Sequence, residues 1–149
     1  MMSLTEREQN KAVVRRWLEE VLNQGKVEVL DEICADAYVE YDPAFPGGHL
    51  RREELKQAIP VYRSAYPDLR FVIEDMIAEA DNVAVYWAMS GTHLGGFRGM
   101  PPTGKHVEAD GMTPVRLRNG ISIEARSFWD ATGLRQKIGV PPPAEGGRA

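Results

Sequence analysis

The sequence predicts an α+β fold, in which helices come first and a curled antiparallel sheet packs against them. Apolar residues near the N-terminus recur at helical spacing, whereas those of residues 69–129 alternate with polar ones, as strands do. Residues 83–112 form the clearest strand pair, two β-compatible runs joined by a long loop rich in glycine and proline. A sheet curled around helices encloses a cone-shaped pocket, which is the usual place for a small-molecule site.

Four helices are predicted from apolar spacing and from stop signals. The first buries one face through residues spaced i, i+3, i+4 and i+7, namely Val14, Trp17, Leu18, Val21 and Leu22. A second, short helix is expected over residues 27–33. A third is expected over residues 51–66, where Pro60 should kink or interrupt it. The last covers residues 130–138 and is capped by Gly139.

The strands are bounded by turn residues. We expect strands at residues 38–41, 69–78, 83–92, 105–117 and 121–129. Asn119-Gly120, between the last two, is typical of a tight hairpin turn. Because no internal repeat is visible, residues 1–139 are predicted to form a single domain, and the proline- and glycine-rich residues 140–149 a flexible tail.

Charge and cysteine content exclude several function classes. A net charge of −4 gives no basic surface for nucleic acid or acidic membranes. No apolar run approaches the roughly 20 residues that span a bilayer, and the N-terminus lacks the apolar core of a secretory signal. The single cysteine, Cys34, fits a reducing cytoplasm and is expected to be a buried small hydrophobe rather than a nucleophile. The three histidines have no ligand-like spacing, so no metal site is predicted.

Four segments carry a resemblance to a known family. They are VLNQGKVEVLDEICADAYVEYDP, YPDLRFVIEDMIAEADNVAVYW, GTHLGGFRGMPPTGK and IEARSFWDATGLRQKIG. In this order they resemble the SnoaL-like polyketide cyclase family, within the nuclear transport factor 2-like superfamily. The resemblance implies a cone-shaped α+β barrel, usually a homodimer. Characterised cyclases of the family close a polyketide ring by an intramolecular aldol step without metal or organic cofactor.

Three residues are predicted to be catalytic. Asp42 falls where the related ketosteroid isomerase pattern places its base, although an aspartate before proline also makes turns. Asp130 matches the family pattern but is equally suited to cap the last helix. His93 matches the family's loop motif and could shuttle protons or hold the loop by hydrogen bonds to backbone. In the isomerase a tyrosine and a protonated aspartate bind the oxyanion. Trp17 and Met112 stand near the places of these two acids, and this difference argues against steroid isomerisation.

The predicted substrate-binding residues lie on the core elements and on the last strand. Aromatic residues of a cone fold form both core and pocket wall, so Trp17, Tyr62 and Trp87 are expected to contact a ligand, together with Met112. Glu124, Arg126, Phe128 and Asp130 share one face of the last strand. Periodicity alone favours water for this face, whereas the family resemblance favours the pocket. An ion pair between Arg126 and Asp130 there would keep the aspartate ionised.

Three interpretations of the pocket remain open. The first is a cofactor-independent acid–base enzyme, an aldol-type cyclase, isomerase or hydratase, acting on an apolar, carbonyl-bearing or polyketide-like molecule. The second is a non-catalytic small-molecule binding domain in which both Asp42 and Asp130 face solvent. In the third, side chains of the protein fill the pocket, the sheet is only a dimer interface, and the cavity is well below the roughly 300 Å³ of ligand sites.

Overall fold

The computed structural model describes residues 4–139, so the predicted flexible tail at 140–149 lies outside the described residues. Its α-helices are α1 (Leu4–Arg16), α2 (Leu30–Ile33), α3 (Arg52–Ala65) and α4 (Ala131–Ile138). Its strands are β1 (Cys34–Tyr41), β2 (His49–Arg51), β3 (Arg70–Glu79), β4 (Asn82–Thr92), β5 (His106–Arg118), β6 (Ile121–Arg126) and β7 (Phe128–Trp129). The predicted α+β class, with a curled sheet packed on N-terminal helices, is confirmed.

The first helix widens at its end. α1 continues into a π-helical turn, Trp17–Leu22, in which the N–H of Asn23 donates to the carbonyl of Leu18. Trp17, Leu18 and Val21 are buried, so the predicted apolar face is confirmed. The π turn itself was not predicted, because apolar spacing does not distinguish it from an ordinary helical turn.

The sheet has the strand order β2-β1-β6-β5-β4-β3, with β7 paired to β5. Antiparallel pairs join β1 to β2 and each consecutive pair from β3 to β6, as predicted for residues 83–112, and Trp87 lies opposite Gly111. The prediction of a purely antiparallel sheet is wrong at one place, since β1 and β6 run parallel and the sheet is mixed. Asn119 and Gly120 both have positive φ, as the predicted hairpin turn requires.

The predicted last strand is broken at Ser127. The N–H of Ser127 donates to the carbonyl of Tyr41, and the chain then shifts so that β7 pairs with β5 at Gly111. A Cβ on Gly111 would lie 2.7 Å from Trp87 and 2.8 Å from Trp129, so only glycine fits between these indoles. The break therefore brings Trp129 against Trp87, with ring centroids 6.2 Å apart.

The third helix closes one side of the molecule. α3 runs through Pro60 without ending there, so the predicted interruption is wrong. The loop after β4 docks on its C-terminal end, where the carbonyl of Ala65 accepts from the N–H groups of Leu94 and Gly95. The inner face of the sheet, the π-helical turn, α3, α4 and this loop together surround a cavity.

Candidate active site

The cavity between the sheet and the helices has a volume of about 160 Å³. Its wall is mainly aromatic and aliphatic and includes Trp17, Phe45, Ile59, Tyr62, Phe71, Trp87, Met89, Phe97, Trp129 and Leu134. The predicted pocket residues Trp17, Tyr62 and Trp87 are all in this wall. A few polar groups interrupt it, chiefly the carboxyl groups of Glu40 and Asp42 and the guanidinium groups of Arg63, Arg98 and Arg135.

Asp42 directly follows β1 and lines the cavity. Its Oδ1 accepts the backbone N–H of Ala44 at 2.8 Å and the indole N–H of Trp129 at 3.0 Å. Among residues 4–139, Oδ2 has no hydrogen-bond partner. Burial raises the pKa of Asp42, while both N–H donors and the positive charge of Arg135 oppose that rise. Both predicted features of Asp42 are thus present, the turn and the position at the pocket.

Glu40 is a second carboxyl group on the same side of β1, and the sequence analysis missed it. It lines the cavity with 4% of its surface exposed. Its Oε1 accepts from the hydroxyl of Tyr38 at 2.8 Å and from the indole N–H of Trp17 at 3.1 Å. Burial raises the pKa of Glu40 to about 7; the charge of Asp42 adds to this, and the two donors oppose it.

The pattern of β1 explains why Glu40 was missed. Val39 and Tyr41 look like the inward set of the strand, so Glu40 looks like its solvated neighbour. In the structure Tyr38 and Glu40 are the buried positions instead. The available signal was spacing, because Glu40 stands two residues before Asp42 and strand side chains alternate between faces.

Two arginines lie on the wall near Asp42, and neither was predicted. Arg135 of α4 donates from Nη2 to the carbonyl of Ala44 at 3.1 Å. Arg98, in the loop after β4, donates from Nη2 to the hydroxyl of Tyr62 at 3.3 Å and lies over the ring of Phe97. Arg98 has φ of 50°, in the left-handed region that non-glycine residues seldom adopt.

Four of the predicted substrate-binding residues lie outside the cavity, so that prediction is wrong for Met112, Glu124, Arg126 and Phe128. Phe128 and Met112 are 62% and 44% exposed. Arg126 pairs with Glu124 at 3.2 Å on the outer surface. The buried positions of the last strands are instead the small residues Ser122, Ala125 and Ser127.

Asp130 caps the last helix and does not line the cavity. Its Oδ1 accepts the N–H of Gly133 at 2.8 Å, and the residue is exposed. The cap predicted as the alternative is confirmed. Arg126 forms its ion pair with Glu124 rather than with Asp130, so the arrangement that would keep Asp130 ionised in a pocket is absent among residues 4–139.

His93 is fully buried and anchors the loop after β4. Its Nδ1 accepts the backbone N–H of Thr103 at 3.3 Å and lies 3.0 Å from the hydroxyl of the same residue. Its ring packs against Tyr66, with centroids 5.4 Å apart. The cavity wall does not include it. The loop-holding role predicted as one alternative is confirmed by the hydrogen bond with Thr103. The other ring nitrogen, Nε2, is buried and has no hydrogen-bond partner among residues 4–139.

Two further sequence-based expectations concern single features. Cys34 is buried, and burial raises the pKa of its thiol well above the ordinary value, as expected for a small hydrophobe rather than a nucleophile. In the part of the chain that the structure describes, no helix has the length and apolar character to cross a membrane.

Comparison with known proteins agrees with this geometry. The model of the SnoaL-like polyketide cyclase family matches residues 12–138. The chain belongs to this family. A nogalonic acid methyl ester cyclase of Streptomyces nogalater is 25% identical over 126 residues, which are 84% of this chain and 94% of the relative.

Solved structures give the same result. A structure described as a SnoaL-like polyketide cyclase, from Jannaschia sp. CCS1, superposes with a TM-score of 0.82 and 26% identity, covering 95% of this chain and 99% of the other. IdmH of Streptomyces antibioticus, assigned as a polyketide cyclase, gives a TM-score of 0.74 and 27% identity, covering 89% and 99%. Family membership supports a cyclase-type function in broad terms.

Proposed function

We propose that this protein is an acid–base enzyme that closes a ring in an apolar, carbonyl-bearing molecule by an intramolecular aldol step, with Asp42 as the base. The observation that carries the proposal is the pair Glu40 and Asp42, two carboxyl groups in the wall of a mainly apolar cavity. Burying a carboxyl group without an ion-pair partner costs free energy, and such groups are often found where they serve a function. Their pKa values are also raised, as is common at catalytic sites.

Asp42 is suited to the role of base by its hydrogen bonds. Both donors, Ala44 and Trp129, bind Oδ1, so Oδ2 is left to accept a proton from carbon. Donors to a carboxylate favour its charged form, and burial makes that charge more basic than in water. Because the net effect is a raised pKa, the carboxylate of Asp42 is a stronger base than a carboxylate in water.

Glu40 is suited to the complementary role of acid. Its burial favours the neutral carboxylic acid below about pH 7, and the nearby charge of Asp42 acts in the same direction. Tyr38 and Trp17 hold it through Oε1 alone. A pair of carboxyl groups whose surroundings favour different protonation states can supply both a base and an acid.

The step balances without any co-reactant. The carboxylate of Asp42 takes a proton from a carbon between two carbonyl groups and leaves an enolate. The enolate carbon then forms a bond to the carbon of a third carbonyl group, farther along the same molecule. The electron pair of that C=O bond moves to oxygen, which takes the proton of Glu40. Proton return from Asp42 to Glu40 restores both groups, and the product is an isomer of the substrate.

The size of the cavity bears on the competing interpretations. A volume of about 160 Å³ is below the roughly 300 Å³ of typical ligand sites, which by itself favours a core filled by its own side chains. However, a cavity of about 150 Å³ admits a benzene-sized molecule. In addition, burying two carboxyl groups costs free energy, which is unfavourable in a core that serves only for packing. We therefore propose that one ring of the substrate enters the cavity. The binding-domain interpretation expects both Asp42 and Asp130 to face solvent, whereas Asp42 lines the cavity.

Substitution of the two candidate aspartates tests the assignment. Deuterium incorporation at the central carbon of benzoylacetone, an apolar 1,3-dicarbonyl compound, reports the proton abstraction, and ring closure of nogalonic acid methyl ester reports the full reaction. We expect Asp42→Asn to lower the enzyme-dependent exchange rate at least about 100-fold. Asp130→Asn, which keeps a capping side chain, should stay near wild type. A wild-type rate no faster than buffer, or equal rates for wild type and Asp42→Asn, would show the proposal to be wrong.

We also propose that the protein is located in the cytoplasm and that it forms a dimer. The two copies associate through the outer face of the sheet. Tyr86, Met112 and Phe128 are cross-strand neighbours there, and each is exposed. Such a contiguous apolar row on a surface indicates a contact with another molecule. Sedimentation velocity should give a dimer for wild type and a monomer for Met112→Glu. Val61→Glu, at an exposed apolar residue of α3, is the control and should remain dimeric, and a monomeric wild type would contradict the proposal.

A further inference from the structure

The guanidinium groups of Arg98 and Arg135 have no carboxylate partner among residues 4–139, although both line the cavity. By contrast, Arg52, a partly buried arginine outside the cavity, forms ion pairs with Asp31, Asp36 and Glu53. Each cavity arginine donates instead to one neutral oxygen. Because a guanidinium carries five N–H donors, several remain for a ligand.

A chain of contacts places the two arginines on the same part of the wall. Arg98 donates to the hydroxyl of Tyr62, which lies 3.5 Å from the carbonyl of Ala44, and that carbonyl accepts from Arg135. The N–H of Ala44 in turn donates to Asp42. The two positive groups therefore converge beside the proposed base, at the polar end of an apolar cavity.

The charges in the cavity wall favour an anionic ligand. The wall contains three guanidinium groups, those of Arg63, Arg98 and Arg135, against two carboxyl groups, those of Glu40 and Asp42. The positive φ of Arg98 belongs to a tight two-residue turn. The planar guanidinium fork matches the geometry of a carboxylate.

We propose that the substrate carries a free carboxylate group, bound by Arg98 and Arg135, a few bonds from the carbon that loses its proton to Asp42. This inference rests on the proposed function for the position of the reacting carbon, but not for the carboxylate site itself. It separates this protein from its relative of Streptomyces nogalater, whose name specifies a methyl ester. An ester removes the negative charge that the two arginines would bind.

Isothermal titration calorimetry with 2-naphthoate and methyl 2-naphthoate tests the proposal on the intact protein. We expect wild type to bind the acid at least about tenfold more tightly than the ester, since a charged hydrogen-bonded pair contributes about that much. Arg135→Gln should lose about tenfold in affinity for the acid, and Arg98→Gln, at an exposed residue, a few-fold. Neither should weaken binding of the ester appreciably. Arg118→Gln, at an exposed residue of β5, is the matched control and should bind both probes as wild type does.

The outcomes are separable from those of the aspartate experiment. Equal affinity of wild type for acid and ester would overturn the carboxylate proposal, and so would an equal loss for both probes in Arg135→Gln, or no binding of either probe. None of these results changes the exchange rates of Asp42→Asn and wild type. Conversely, a preference for the acid that depends on both arginines would stand even if Asp42→Asn kept full activity.

Discussion

Strands β1 and β6 are neighbours in the sheet. The carboxyl groups on β1 and just after it are at the cavity, whereas those on β6 and just after β7 are at the outer surface. Glu40 and Asp42 line the cavity, whereas Glu124 lies in an outer-surface ion pair and Asp130 is exposed as a helix cap. Both aspartates accept a backbone N–H from the turn that follows them. The difference is the second donor, the indole of Trp129, which only Asp42 has. A turn-making role and a site role are therefore compatible, and burial decides which aspartate has both.

The largest difference expected between these two groups of carboxyl residues is in the pH dependence of the free energy of unfolding. The folded-state pKa of Glu40 is about 7, above its ordinary value of 4.5, so the folded protein holds this proton more tightly than the unfolded chain. Stability is then lost as pH rises from about 4.5 to 7. Between pH 5 and pH 8 this loss amounts to about 2 kcal/mol, and we expect Glu40→Gln to remove it. Urea unfolding at both pH values measures the difference.

Glu124→Gln is the matched control for that experiment, because Glu124 lies on the neighbouring strand, opposite Val39, but takes part in a surface ion pair. Its free energy of unfolding should change by less than about 0.5 kcal/mol at either pH. If Glu40→Gln and Glu124→Gln gave the same pH dependence, the assignment of the buried proton to Glu40 would be wrong.

A smaller effect concerns the donor that distinguishes the two aspartates. Trp129→Phe removes the indole N–H from Asp42, and because that donor favours the charged form, the pKa of Asp42 should rise. The acid limb of kcat/KM against pH should then move upward by up to about one unit, or about 1.4 kcal/mol. Trp87→Phe is the control, since its N–H donates to Thr113. An unshifted acid limb in Trp129→Phe would contradict the assignment of the base.

The smallest effect concerns Asp130. Asp130→Ala removes the side chain that caps α4 and should lower the free energy of unfolding by about 1 kcal/mol, measured in urea. Asp130→Asn should restore most of that loss, because asparagine caps helices nearly as well. Loss of enzyme-dependent exchange in Asp130→Asn, with folding intact, would reverse the comparison and make Asp130 the functional residue.

Local signals in the sequence were sufficient for most of the fold. The strand pair at residues 83–112, the Asn119-Gly120 turn and the Gly139 cap each depend on a few adjacent residues, and all three were predicted. The parallel pairing of β1 and β6 was not predicted. These strands are separated by most of the chain, and the pattern of neither strand contains information on the direction of its partner.

The site was less predictable than the fold, for a physical reason. Period-2 alternation assigns side chains to two faces of a strand but leaves open which face is inside. For residues 121–129 periodicity placed Arg126 and Phe128 in water, which is where they are, and the family resemblance suggested the opposite. For β1 the same rule would have placed Glu40 outside. Its burial depends on Tyr38 and Trp17, two hydrogen-bond donors from separate elements that no local pattern brings together.

The cavity wall contains every tryptophan of the chain, three in number. The entire indole emission of this protein therefore arises from one compartment, with no background from residues elsewhere on the surface. Indole emission shifts in wavelength and intensity with the polarity around the ring, and Trp17 and Trp129 each donate to one of the two carboxyl groups. Intrinsic tryptophan fluorescence can therefore report both the binding of a substrate ring in the cavity and the protonation of Glu40, without an added label.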